Sequence, residues 1–132
     1  MFHILYKCNA WGYEMRQDVN QVSYQRGVMS LVLLALLDRE EMYGYQMVQE
    51  IARISSGRIV TQEGSLYPVL YKLVEQGLIV DRKVLVGKRM TRVYYRIEPT
   101  GHEYLQKLIR DYEATTQGVF QIIHWGEKHE DR

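Results

Sequence analysis

Apolar positions along this chain keep a helical period three times, break into a strand-like period once, and then return to a helical one. Val28, Leu31, Val32, Ala35 and Leu36 fall at i, i+3, i+4, i+7 and i+8, which predicts a helix from about Tyr24 to Asp38. Leu33, Leu34 and Leu37 widen its stripe, so this helix should be central and buried on most sides. Asp38-Arg39-Glu40-Glu41-Met42 is polar enough to be a connection. In a second helix after Tyr43-Gly44-Tyr45, Tyr45, Val48, Ile51, Ala52 and Ile54 should face inward, and Ser55-Ser56-Gly57 should end it. A third helix is expected with Ser65 as N-cap and Pro68 in its first turn, where backbone N–H groups lack intrahelical partners. Leu66, Leu70, Leu73 and Val74 give it a buried face, and Gly77 suits a left-handed C-terminal cap.

Leu78 and Ile79 open a β-type run through Val80, Val84 and Val86. Gly87-Lys88-Arg89-Met90 reads as a turn and Thr91 to Ile97 as the return strand. Glu98-Pro99-Thr100-Gly101 breaks that pattern. A long helix should then run from near Thr100 or Gly101 to about His124, with Leu105, Leu108, Tyr112, Thr115, Val119 and Ile122 forming a coiled-coil seam that needs a partner. Helix followed directly by hairpin is the layout of a winged helix-turn-helix, a mainly α fold with a small β-hairpin (α+β). In that layout Arg58-Ile59-Val60 makes either a short strand, the third beside the hairpin, or an extended link before the third helix. Residues 1–22 show no clean periodicity. They read either as a dispensable extension or as an arm packing through Phe2, Ile4, Leu5 and Trp11. The expected division is 1–22 extension or arm, 23–101 winged-helix domain, and 102–132 dimerisation helix and charged tail.

Charge sharpens this picture. The 132-residue chain carries a formal charge of only +1, yet its distribution is uneven. Net charge is 0 over 1–22 (two basic, two acidic), +3 over 23–101 (eleven basic, eight acidic) and −2 over 102–132 (four basic, six acidic). From Arg82 to Arg96 there are six basic residues and no acidic one. Such a hairpin suits the phosphate backbone of double-stranded DNA. Around the third helix, Gln62, Ser65, Tyr67, Tyr71 and Lys72 offer hydroxyls and a helix N-terminus for phosphates, with Gln62 or Lys72 able to reach base edges. Lys88 and Arg89 occupy the hairpin tip, with Thr91 and Arg92 behind, suited to the backbone or the minor groove. The alternative reading is a winged-helix protein-interaction module without specific DNA binding. Six uncontested charges on the hairpin argue against it.

Enzyme readings fail on the residues. Gly87-Lys88 resembles the end of a phosphate-binding loop, but Arg82 stands where that motif needs glycine and Arg89 where it needs Ser or Thr. His3, His102, His124 and His129 are scattered, Cys8 is a lone cysteine, and no paired carboxylates sit in an apolar context. No metal, cofactor or catalytic residue is expected. The single cysteine fits a reducing compartment, and neither a secretory signal nor a membrane-spanning stretch is visible. A cytoplasmic location is therefore expected.

The blocks VMSLVLLALL (28–37), YGYQMVQEI (43–51), EGSLYPVLYKLVEQGLI (63–79) and GKRMTRVYYRIEPTG (87–101), with the HEYL that follows, resemble the PadR family of transcriptional regulators over roughly residues 26–125. The single, fairly short C-terminal helix is similar to the smaller subfamily, although 22 leading residues are more than the family usually carries. The resemblance implies a winged helix, a homodimer formed through the C-terminal helix, and repression of a nearby promoter. In some members a small aromatic effector releases the DNA. It places Tyr45, Tyr67, Tyr71 and Lys72 on the DNA side, against the inward role of Tyr45 above, and Arg89 and Arg92 on the wing. Leu105, Leu108, Tyr112, Val119 and Ile122 would form the dimer seam. An effector pocket would draw on Tyr104, Leu108, Tyr112 and Trp125, which otherwise simply fill the dimer core.

Overall fold

A computed structural model describes the backbone of residues 5–8, 14–17 and 19–127 and the side chains of 28–127. The element order is β1 (Leu5–Cys8), β2 (Glu14–Gln17), α1 (Val19–Leu37), β3 (Met42–Tyr43), α2 (Gly44–Ile54), α3 (Glu63–Glu75), β4 (Ile79–Val86), β5 (Met90–Ile97) and α4 (Pro99–Ile123). Residues 1–22, whose sequence shows no clean periodicity, contain the antiparallel pair β1–β2, with Leu5 opposite Gln17 and Cys8 opposite Glu14, and the start of α1, which begins at Val19 and not near Tyr24. Phe2, Ile4 and Trp11, named for an arm, lie outside the described residues, as do His3 and His129.

One core joins α1, α2, α3 and the inner face of a three-stranded antiparallel sheet of order β3-β5-β4. Among the described side chains of α1, Met29, Leu33, Leu34 and Leu37 are buried, whereas Val28, Leu31, Val32 and Leu36 are half-buried and Ala35 is exposed. The helix is apolar nearly all round, so its period alone did not fix which side faces the core. α2 buries Gly44, Met47, Ile51 and Ala52. Tyr45 and Ile54, expected inside, are 47% and 58% exposed.

The third strand comes from Met42–Tyr43, opposite Tyr95 and Tyr94 of β5, and not from Arg58–Val60. Met42, placed in a polar connection by its neighbours, is buried. Strand assignment here depends on which segment reaches the free edge of β5, and two residues are too few to show alternation.

α3 begins three residues earlier than Ser65 would dictate. Its N-cap is Gln62, which makes no side-chain capping bond. Pro68 therefore lies in the second turn, where the carbonyl its missing N–H would have met belongs to exposed Gly64. Leu66, Leu70 and Leu73 are buried. The helix ends in a Schellman motif: Leu78 N–H donates to the Leu73 carbonyl at 3.0 Å and Gly77 N–H to Val74 at 2.9 Å, with Gly77 at φ +72°.

β4 and β5 pair from Ile79 opposite Ile97 to Val86 opposite Met90. This leaves Gly87-Lys88-Arg89 as the connection, with Gly87 at φ +70°. α4 then docks by its first turns. Glu98 N–H donates to the Leu78 carbonyl at 2.9 Å, and the Thr100 hydroxyl donates to the Gly77 carbonyl at 2.7 Å. The approach is so close that a Cβ at Gly101 would lie 2.1 Å from the Leu78 carbonyl oxygen.

Candidate nucleic-acid interface

Three features converge on one surface: the N-terminus of α2, the outward side of α3, and the base of the β4–β5 hairpin. Gly44, the first residue of α2, lies against the side chain of Tyr67. A Cβ there would come within 3.0 Å of the Tyr67 hydroxyl oxygen. Tyr67 stacks on Tyr71 with ring centroids 6.3 Å apart. Tyr43, immediately before Gly44, carries the Arg92 guanidinium 4.1 Å over its ring centre. The hairpin thus meets Tyr43 through Arg92, and the neighbouring Gly44 backbone meets Tyr67 of α3.

On that surface Ser65, Pro68, Tyr71, Lys72 and Tyr45 are exposed, and Gln62 and Tyr67 are half-buried. Tyr71 is 65% exposed, more than any packing role requires. Burial, and after it the Glu63 carboxylate that accepts its hydrogen bond, hold the Tyr67 hydroxyl above its ordinary pKa. Tyr67 therefore stays a neutral donor, and its partner Glu63 is one that reading the sequence did not single out. Beneath them Tyr95 is buried on the inner face of the sheet. Its pKa is pushed up to about 12, first by burial, then by the nearby Tyr71 and Tyr67 hydroxyls and by Asp81.

The hairpin charge is less uniform than its sequence suggests. Arg82 forms an ion pair with Glu41, and Arg96 lies 3.7 Å from Glu98. The six basic positions are therefore not all uncontested. Lys88, Arg89 and Thr91 are exposed at and beside the tip, while Arg92 is half-buried. Glu41, Tyr43 and Tyr94 are components that the sequence reading missed. Strand alternation alone carries a signal for Tyr94, which shares a face with Arg92 and Arg96.

The seam expected along α4 divides in two. Leu105 is only 2% exposed, and Leu108 and Ile109 pack against the same core, so Leu105 has no surface to offer a second chain. Beyond them Tyr112, Val119 and Ile122 are 40%, 49% and 78% exposed, and Phe120, Ile123 and Trp125 are exposed as well. Tyr104 lies one turn before Leu108 and is 37% exposed. His124 stacks on Phe120 and lies 3.1 Å from Glu127. Among the described residues, no group of three or more His, Cys, Asp or Glu could hold a metal ion, and no helix is long and apolar enough to cross a membrane.

Three helices, a β-hairpin wing and a long helix following it define a winged-helix protein. The profile of the transcriptional regulator PadR-like family matches residues 33–107. The chain belongs to that family, whose members are transcriptional regulators. It is similar to the transcriptional regulator Rv3488 of Mycobacterium tuberculosis, 33% identical over 96 residues that make up 73% of this chain and 86% of that protein. A PadR family regulator from Eggerthella lenta shares its fold with a TM-score of 0.69 and 27% identity, over 77% of this chain and 87% of that one. Bacillus subtilis PadR, solved in complex with operator DNA, superposes with a TM-score of 0.59 at 23% identity, over 62% of this chain and 46% of that one.

Proposed function

We propose that the protein is a cytoplasmic, dimeric, DNA-binding repressor that reads a near-palindromic promoter site. The observation that carries this reading is the continuous surface from the exposed side of α3 through Tyr67, Gly44 and Tyr43 to the cationic wing. In the proposed complex α3 lies in the major groove. Its N-terminus and the Ser65 and Tyr71 hydroxyls meet phosphates, while Gln62 and Lys72 reach base edges. Tyr45, at the start of α2, lies beside them, and Lys88, Arg89 and Thr91 grip the flanking backbone or minor groove. Bacillus subtilis PadR, which shares the fold and was solved in complex with operator DNA, supports DNA binding as the activity.

A second copy of the chain would cover the outer half of α4 through Tyr112, Val119, Ile122 and Ile123, and place two α3 helices about one DNA turn (~34 Å) apart. A small aromatic effector held by Tyr104, Leu108, Tyr112 and Trp125 would change the angle between protomers and spoil that fit. To shift the bound population strongly it must prefer the non-binding arrangement by several kcal/mol. The test is a gel-shift titration on the gene's own upstream DNA against scrambled duplex of equal length. Specific retardation with two protomers per site is expected. Equal, weak retardation of both duplexes would contradict the reading.

A further inference from the structure

The outer face of the sheet carries a continuous cluster through which the DNA-facing surface passes but to which the DNA reading gives no role of its own. Cα pairing sets Tyr43, Tyr94 and Arg82 in one row across β3, β5 and β4, with Arg92 in the next row beside Val84. Directly opposed residues and residues two apart share a face of a sheet, so all four side chains emerge together, opposite buried Met42, Ile79 and Tyr95. The contacts close this into a chain. Arg92 lies 4.1 Å over the ring of Tyr43. Tyr43 meets Tyr94 edge to face at 5.4 Å. Arg82 lies 5.7 Å over Tyr94 and is anchored in turn to Glu41, which immediately precedes β3.

β3 is only two residues long, a short ladder by which to hold a hairpin of two eight-residue strands. Its backbone runs straight into α2, whose first residue abuts Tyr67 of α3. We propose that Arg92 is a positioning residue and not a phosphate contact. With Tyr43, Tyr94 and Arg82 it forms a cation–aromatic brace that fixes the angle of the wing relative to α2 and α3. The half-buried state of Arg92, against the exposed Lys88 and Arg89 at the tip, separates the two kinds of cation. Planar guanidinium on an aromatic face gives up little hydration and holds a defined direction. The role of the brace in binding rests on the DNA reading above; its mechanical role does not.

The test uses the full chain with Tyr43→Leu, Arg92→Ala, Arg89→Ala, the doubles Tyr43→Leu/Arg92→Ala and Tyr43→Leu/Arg89→Ala, and Tyr43→Phe, which keeps the ring. Two readouts are hydrogen exchange of the hairpin amides without DNA and affinity for the upstream duplex across a salt series. The brace predicts faster exchange in the hairpin, with α3 unchanged, for Tyr43→Leu and Arg92→Ala but not for Tyr43→Phe. Each of the first two should weaken binding about three- to tenfold, the scale of one such contact. Their double should be no worse than the worse single, and Arg89→Ala should cost less in the Tyr43→Leu background. Unchanged exchange overturns the brace whatever the DNA data show. So does an additive Arg92→Ala that lowers the salt slope by about 0.9, the signature of one lost phosphate contact. If the unsubstituted protein binds neither duplex, the DNA reading fails and exchange alone decides the brace.

Discussion

α3 and the wing would meet the same DNA, yet they are held in place by different physics. α3 is fixed from within: Leu66, Leu70 and Leu73 are almost wholly buried, and its end is closed by the Schellman bonds of Gly77 and Leu78. The wing leaves the core after Ile79. From Asp81 to Met90 none of its residues is buried. It owes its position to strand pairing and to the aromatic and cationic side chains at its base. A reading element needs its angle defined to within a base pair, and packing supplies that stiffness. A gripping element needs its angle set but no base-pair register, so contacts at its base suffice. Specificity should accordingly reside in α3 and salt-sensitive affinity in the wing.

The largest effect is expected at the core. Leu70→Ala should cost about 2–5 kcal/mol of folding stability, because it empties a fully buried site beneath α3; chemical denaturation reads it directly. Next comes the joint between the two regions. Tyr95 titrates near 12 in the folded chain against 10.0 when free. The folded state therefore keeps a proton that the unfolded chain loses. That stability is fully present below pH 10, falls as pH rises, and is lost through pH 12. Tyr95→Phe should flatten this alkaline slope in melts between pH 9 and 12, and an unchanged slope would move its origin elsewhere. Gly101→Ala should cost about 1–3 kcal/mol by overpacking α4 against the Leu78 carbonyl; thermal denaturation measures it. Smallest in stability is the tip. Lys88→Ala with Arg89→Ala should move folding by less than about 0.5 kcal/mol while flattening the salt dependence of DNA binding by about 0.9 per lost phosphate contact.

The sequence made α3 and α4 legible because each combines a clean apolar period with a stop signal: Leu66, Leu70 and Leu73 before Gly77, and Pro99 opening the last helix. Elsewhere the local pattern was ambiguous. α1 is so apolar that Val28, Leu31 and Ala35 satisfied the helical period as well as Met29, Leu33 and Leu37, and only its neighbours chose between them. β3 is defined by its partner β5, so Met42 was hidden among acidic residues and Arg58–Val60 looked the better strand. Tyr45 is amphipathic enough to fit either side, and its exposure removes the inward reading. On the candidate site the exposed tip at Lys88 and Arg89 was visible in the charge pattern. The pairing of Arg82 with Glu41 was not, because it joins residues forty-one apart in the chain. The division of the α4 seam at Leu105 was equally hidden, since a heptad pattern does not say whether its partner lies in the same chain or another.

The most direct test of the account is the ratio of affinities for the upstream duplex and a scrambled duplex, measured by fluorescence anisotropy at one salt concentration. Lys72→Ala and Gln62→Ala on α3 should shrink that ratio, while Lys88→Ala with Arg89→Ala should weaken both affinities alike and leave it unchanged. A ratio that falls with the wing variant and survives the α3 variants would contradict the division of labour proposed here.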